Sequence, residues 1–402
     1  MTMRRPTVLL LLGYFDWFSG YQEAALAAWL PRYAVTEVIA CDRVSPIFSD
    51  AHLARLGIPR RYATGTTIEN NARVTRFRCH EKRAMVWSAD VKPYIESHAY
   101  DLIIQVMPGQ AMPLAGSLAQ NRSVRAVLYG DNSGMWSHLN PVARLLKGAA
   151  FAVSKGMAYR YANQRADHIY GYTPETITRL QPFTPHGNPM RLLPLAFDPD
   201  RFFYGEELRL ERRNALGYGP EALVVISAGR FLARKRLDLL FDAFRILHAQ
   251  STEARLLLVG ADDTDYAKQI RATVERESHL RDTTTILPFV DHTELNSLFN
   301  AADIGVWPSL PAITIQQAMG TGLLPVIPNS PWVSHLVHDG MGVYFNPAAA
   351  LAYRLSAAVS EAASMARSLR PQRALHNRWF SAQAITECLL DDAGLLERPL
   401  GG

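Results

Sequence analysis

The sequence predicts an α/β protein of two doubly wound domains, and three observations predict it. The first is size. A chain of 402 residues with 48% apolar content suits two cored domains better than one. The second is a series of short, near-continuous apolar runs. In the first half they are Val8–Leu12, Glu37–Cys41, Leu102–Val106, Val124–Leu128 and His168–Tyr172. In the second half they are Leu223–Ala228, Leu256–Val259, Thr285–Leu287, Ile304–Trp307 and Leu324–Ile327. Runs of this kind suit parallel strands covered on both faces. The third is the helical pattern between them. After Lys235, the residues Leu237, Leu240, Phe241, Phe244 and Leu247 recur at helix period and make one apolar face. The β-α-β alternation in both halves gives two doubly wound sheets. The segment Arg191 to Phe203 carries two prolines, Pro194 and Pro199, and the domain junction is expected there. Doubly wound sheets bind ligands at the carboxyl ends of their strands, so a cleft between two facing domains is the expected place for a site.

Composition narrows the class. Charged residues make up 20% of the chain, with no charge block or low-complexity tract, so disorder is not the default reading, and no internal repeat at solenoid period occurs. The formal charge of +5 fits anionic partners and does not choose among nucleotide phosphates, acidic lipid heads and nucleic acid. The three cysteines, Cys41, Cys79 and Cys388, lie far apart in sequence with no metal-ligand spacing. They read as free thiols in a reducing cytosol, and His80 beside Cys79 reads as structural. Two arginines precede Val8–Leu12, but that run is too short for an export core or a span, and no other stretch is long enough. A protein that is soluble or rests on a membrane surface is expected.

Three segments carry candidate chemistry. In GRFLARKR, Gly229 to Arg236, a strand ends in glycine and then presents Arg230 and Lys235. At the carboxyl edge of a sheet, with a helix start beyond, these make a cationic mouth for a diphosphate: Arg clamps with paired bonds and Lys adds a point charge. A solvated basic loop is the plain alternative. In LLLVGADD, Leu256 to Asp263, Gly260 ends a strand and allows close approach of a ligand. No G-x-G-x-x-G follows a strand and no Walker loop occurs, so the dinucleotide and P-loop classes are excluded. The third segment, Ile286 to Ile327, runs strand, helix, strand, then Pro308-Ser309, Gln316-Gln317, Ala318-Met319-Gly320 and a last buried strand.

The order of these pieces resembles the retaining GT-B glycosyltransferases of the glycosyltransferase family 4, or glycogen-synthase-like, group. The resemblance rests on Gly229-Arg230 with Lys235, Val259-Gly260, Pro308-Ser309, Gln317-Ala318-Met319-Gly320 and Leu324-Pro325-Val326-Ile327. It is dense over Leu223 to Pro347 and weaker before, where Pro194 to Phe202 looks like the family's junction segment. It implies an N-terminal acceptor-side Rossmann-like domain over 1–196 and a C-terminal nucleotide-sugar domain over 197–375. A closing helix over 376–402 would cross back to the first, with Trp379 and Phe380 as packing anchors. It also implies transfer of a sugar from a nucleotide-diphosphate donor with retention of configuration. No metal or cofactor is implied, and UDP is expected before GDP. The acceptor would be a glycan, glycolipid or glycoside, and nucleic acid is not an expected partner.

Carried over position by position, Arg230 and Lys235 would bind the diphosphate. Gly229 and Gly260 would shape the strand ends, Phe289 and Val290 would frame the nucleobase, and Ala312, Ile313, Thr314 and Ile315 would cradle the sugar and distal phosphate. Gln317 stands where the family usually has a ribose-binding glutamate, and SLPAIT (Ser309 to Thr314) lacks the acid that usually touches the donor sugar. A neutral amide bonds ribose hydroxyls roughly half as strongly as a carboxylate. The plain alternative for Gln316-Gln317 is an exposed helix start.

In the N-terminal half, Gly20 is the nearest match to the family's phosphate-facing glycine loop, among aromatics that also suit ordinary packing. Asp131 is the candidate for orienting the acceptor, and His138 is a second. Residues 141–167 carry Arg144, Lys147, Lys155, Arg160 and Arg165 among Leu145, Leu146, Phe151, Val153 and Met157. That basic amphipathic stretch suits peripheral contact with an anionic membrane, and equally an ordinary surface helix. A cytoplasmic place, with the inner membrane face as a variant, follows. Two rivals remain at this level: a non-catalytic transferase-like scaffold, and a nucleotide-sugar epimerase on the same fold.

Overall fold

The computed structural model describes residues 4–82, 85–130, 140–250, 253–309, 311–337, 341–346, 351–366 and 369–396. The chain divides into two compact units, Met1–Pro194 with Ala382–Gly402, and Leu195–Ser381.

The first unit is built on an eight-stranded sheet. Its strands are β1 (Thr7–Leu11), β2 (Val35–Cys41), β3 (Gly65–Glu69), β4 (Ala72–Phe77), then, after a separate hairpin of β5 (His80–Lys82) and β6 (Met85–Trp87), β7 (Leu102–Val106), β8 (Val124–Tyr129), β9 (His168–Gly171) and β10 (Arg191–Leu192). The order across the sheet is β10-β9-β8-β7-β1-β2-β4-β3. All neighbours are parallel except β3, which runs antiparallel to β4 at the edge. The five apolar runs are the central strands, and Val8 to Leu11 have no exposed surface. The hairpin β3-β4 turns on Asn70 and Asn71, both left-handed at φ 48° and 64°. Asparagine tolerates that region better than most residues, which is why it serves in two-residue hairpin turns.

The second unit holds a six-stranded sheet of β11 (Leu223–Ala228), β12 (Ala254–Ala261), β13 (Thr284–Pro288), β14 (Ile304–Val306), β15 (Leu324–Pro328) and β16 (Val343–Phe345). The order is β13-β12-β11-β14-β15-β16, parallel throughout. Strand order therefore reverses between β11 and β14, the point at which doubly wound sheets take ligands. Both faces are covered. On one, Leu240, Phe241 and Phe244 of the helix Leu237–Gln250 pack with Leu256, Leu258 and Leu355. On the other, Ile226 and Leu257 pack with Phe299, Met319 and Phe380.

Buried arginines tie this unit together. Asp303, 2% exposed, receives Arg209 at 2.5 Å and Arg213 at 3.3 Å, and its second oxygen also accepts the Val224 N–H at 2.8 Å. The Arg370 guanidinium donates to the carbonyls of Thr321, Ala302 and Phe299. Burial, with Arg209 nearby, pulls its pKa down to about 9.

The helix Ala382–Asp392 belongs to the first unit. Tyr33 donates to Glu387 at 2.7 Å, and Arg191 pairs with Asp392 at 2.5 Å. Of the two expected packing anchors before it, Phe380 is 1% exposed. Trp379 is 49% exposed, so it is not a core anchor; its ring rests against Phe380 at a centroid distance of 4.8 Å. Residues 141–167 fold as two helices, Pro141–Ala152 and Lys155–Asn163. The first buries none of its residues.

Candidate functional site

The site is assembled where β11 and β14 end, within the second unit. Gly229 follows β11 at φ 134°, and Gly260 within β12 sits at φ 107°. Both values lie where only glycine is at ease. A Cβ on Gly260 would stand 2.5 Å from the Gly229 carbonyl oxygen, so the two chain segments touch backbone to backbone. From Gly229 the chain makes a short 3-10 turn, Ala233–Lys235, and Arg236 in the left-handed region at φ 56° sets up the helix Leu237–Gln250.

That turn directs Lys235 across the mouth of the sheet. Its Nζ donates to the Pro311 carbonyl at 3.1 Å. Burial, reinforced by Arg234, pulls the ammonium pKa down to about 8. An ammonium made less comfortable by desolvation gains when an anion joins it. Arg230 is half-exposed, with its guanidinium 3.9 Å from the Asp262 carboxylate. At that separation and exposure the pair holds Arg230 loosely. One pocket is lined by Ser227, Gly229, Arg230 and Lys235 from the β11 side and by Trp307, Pro308 and Ser309 from the β14 side. It lies at the strand-order reversal.

The helix Ile313–Gly320 begins at the same place. Thr314 Oγ1 donates to the Ala228 carbonyl at 2.9 Å, and Trp307 Nε1 donates to that carbonyl at 3.0 Å. Its N-cap is Ala312, and no side chain caps it. A helix start without a side-chain cap presents N–H groups and the positive end of its dipole, both suited to an anion. The expected residues Gly229, Arg230, Lys235, Gly260, Ala312, Ile313 and Thr314 are thus gathered around one strand end. Ile315 is fully buried and packs into the core beneath.

Phe289 and Val290 follow β13, two strands from β11. Phe289 is exposed, while Val290 packs against the apolar layer. Gln316 and Gln317 are 3% and 4% exposed, which overturns the exposed helix start as a reading. The Gln316 Oε1 is buried with no hydrogen-bond partner among the described residues. Gly20 lies in the first unit at φ 66° and closes the turn Trp17–Ser19. Of the aromatics around it, Phe15 is core, Trp17 donates to Glu69 at 2.6 Å and Tyr14 donates to Glu81 at 2.8 Å. Asp131 and His138 lie outside the described residues. Among the described residues no group of three or more His, Cys, Asp or Glu is arranged to hold a metal ion.

Sequence reasoning missed the Pro311 carbonyl and the joint grip of Trp307 and Thr314 on Ala228. These contacts join residues far apart in the chain, and no local spacing announces them. The three cysteines are free thiols, as read from the sequence, and Cys41 and Cys79 share one buried cluster.

Two doubly wound parallel-sheet units, the second with a cationic pocket at its strand-order reversal, make the GT-B fold. Structures of that fold align over nearly the whole chain. HepE (Alr3699) from Anabaena, solved in complex with UDP and glucose, has a TM-score of 0.66 at 17% identity, covering 97% of this chain and 100% of that one. Residues 222–361, within the second unit, match the family model described as glycosyl transferases group 1. Mannosylfructose-phosphate synthase of Agrobacterium fabrum is 30% identical over 148 residues, 34% of this chain and 32% of that protein. GDP-mannose:cellobiosyl-diphosphopolyprenol alpha-mannosyltransferase of Komagataeibacter xylinus is 28% identical over 168 residues, 39% and 42% respectively. The aligned part thus spans less than half the length of these curated relatives.

Proposed function

We propose that this chain transfers a sugar from a nucleoside-diphosphate sugar to a hydroxyl acceptor with retention of configuration and without a metal. The observation that carries the reading is the meeting of Arg230, Lys235 and the uncapped start of Ile313–Gly320 at the strand-order reversal. All three suit a departing diphosphate, whose charge grows as the bond to the sugar breaks. The acceptor oxygen bonds the anomeric carbon on the face the diphosphate leaves, and its proton passes to a departing phosphate oxygen. Phe289 and Val290 frame the base, Gln317 serves the ribose side, and Ala312 to Ile315 line the sugar and distal phosphate. UDP is the favoured nucleotide, in line with the UDP and glucose bound to HepE; GDP is the rival, since the Komagataeibacter relative is named for GDP-mannose.

The acceptor is a glycan, glycolipid or glycoside met at the cytoplasmic face of a membrane. Val142, Leu145, Leu146 and Met157, on the two helices that also carry Lys147 and Lys155, and Val153 between those helices are each 65–74% exposed. Exposed leucines beside cations suit shallow insertion among anionic headgroups. Among the described residues no helix is long and apolar enough to cross a membrane.

The test is a thermal-shift and calorimetric panel of UDP, GDP, ADP and dTDP on the wild type and on Arg230→Ala. A ligand at about 100 times its Kd stabilises the fold by roughly 2.7 kcal/mol. One nucleotide should shift the wild type and not the variant. No shift with any of them sinks the donor site and leaves the non-catalytic scaffold as the reading.

A further inference from the structure

The first unit holds a second cationic cavity, apart from the donor pocket. It measures about 170 Å³ and is lined by Arg43, Val44, Pro46, Arg60, Arg61 and Glu81. Since about 10–15 Å³ accommodates one water, this volume holds a group of several heavy atoms. The lining comes from separate parts of the chain. Arg43 lies just past β2, Arg60 and Arg61 precede β3, and Glu81 is on β5. An isolated backbone bridge between Arg43 and Arg61 fixes the two arginines side by side.

Each of the three guanidiniums has one carboxylate partner, but only one of those carboxylates, Glu81, lies on the wall. Glu81 already accepts Tyr14 on one oxygen at 2.8 Å and Arg43 on the other at 3.0 Å. Arg61 leans on Asp42 at 3.2 Å and Arg60 on Asp50, whose side chain is 91% exposed. Neither aspartate lines the cavity. A pair as exposed as Arg60–Asp50 is worth little and yields to a better anion. Arg60 is nevertheless held in place, because its Nη2 also donates to the Phe48 carbonyl at 2.8 Å. Arg43 Nε is buried with no hydrogen-bond partner among the described residues. A buried guanidinium N–H left unpaired is costly.

We infer that this cavity binds a phosphoryl group carried by the acceptor, held by Arg43, Arg60 and Arg61. Paired N–H donors on planar guanidiniums match the oxygens of a phosphate ester, and the exposed Asp50 is the partner most readily displaced from them. That the anion belongs to the acceptor rests on the transferase reading; the affinity of the cavity for a phosphoryl group does not.

The test uses the full chain, with inorganic phosphate and glycerol 3-phosphate as probes titrated calorimetrically against potassium chloride of matched ionic strength. Arg61→Gln and Arg43→Gln are measured alongside, each first checked for an unchanged melting profile. Arg61, half-exposed and paired to one carboxylate, is the variant expected to fold without difficulty. The expected result is phosphate ester binding to the wild type that weakens at least tenfold in both variants, with UDP binding unchanged. Absence of phosphate binding, or binding that survives both substitutions, overturns the inference. Binding of free phosphate with no binding of the ester overturns the acceptor assignment. Loss of UDP binding in Arg61→Gln would make this a donor contact and overturn it as well. If UDP fails to bind the wild type while the ester binds at Arg61, it is the donor reading that falls and the cavity that stands.

Discussion

Lys235 Nζ stands 3.1 Å from the carbonyl oxygen of Pro311, which ties the cationic turn after β11 to the loop that opens the helix Ile313–Gly320. A carbonyl dipole is a weak partner for a desolvated ammonium, and the pKa of about 8 reflects burial more than attraction. A diphosphate would prefer the protonated lysine. Its affinity should therefore hold steady below pH 8 and fall above it, by at most tenfold per pH unit, until the raised pKa of the lysine in the complex is reached. Lys235→Met should bind UDP more weakly and lose this pH dependence. Calorimetric titrations of UDP from pH 6.5 to 9.5 decide it; an equal slope in both proteins would assign the proton elsewhere.

The same depressed pKa makes a stability prediction of defined sign. The folded chain releases the Lys235 proton near pH 8, and the unfolded chain keeps it to about 10.5. Over that window the unfolded state binds more protons, so this residue's contribution to stability rises with pH. Denaturant midpoints of wild type and Lys235→Met, compared at pH 7.5 and 9.5, should converge toward or favour the wild type at the higher pH. A gap that moves the other way contradicts the burial of the ammonium.

Gly260 has no room for a side chain. A Cβ there would meet the Gly229 carbonyl at 2.5 Å, in a conformation already unsuited to other residues. Gly260→Ala should cost about 1–3 kcal/mol of stability, the range for forced overpacking. It should also push Gly229 and Arg230 out of line, so nucleotide affinity should drop by more than the stability loss explains. Chemical denaturation together with UDP titration separates the two effects. A variant that is less stable and binds UDP normally would show that the strand ends do not position the donor.

How much of this was legible in the sequence follows from what each contact depends on. Nine interior strands were visible because burial on both faces writes a continuous apolar run; β13, at the sheet edge and only partly buried, showed in its Ile286-Leu287 pair. The hairpin β3-β4 was not, since Arg73 and Arg76 interrupt its pattern; yet Arg76 is buried, stacked 3.8 Å from the Tyr62 ring. Its one local mark is the Asn70-Asn71 turn. β16 is three residues long and too short to show a period. At the site, Gly229, Arg230 and Lys235 were legible because their functions need residue types at fixed spacing along one turn. The Pro311 carbonyl carries no residue signature, and the burial of Gln316 and Gln317 depends on how their helix is covered.

Asp303 offers a test of what holds the second unit together. It is almost fully buried between Arg209 and Arg213 and accepts the first N–H of the β11 ladder, from Val224. Asp303→Asn keeps the shape and removes the charge, leaving two buried guanidiniums without their counter-ion. Breaking one side of a buried pair typically costs 3–5 kcal/mol, because the remaining charge stays desolvated. The carbonyls of Ala301 and Ala302 also accept from these arginines and would soften the loss, so about 3 kcal/mol is expected. Arg370 lies in the same network and donates to Ala302 as well, so its environment should change with the substitution. Denaturant unfolding of Asp303→Asn should show a midpoint drop at unchanged slope. A loss below about 1 kcal/mol, the scale of a surface pair, would mean that the carbonyls and not the carboxylate hold the arginines.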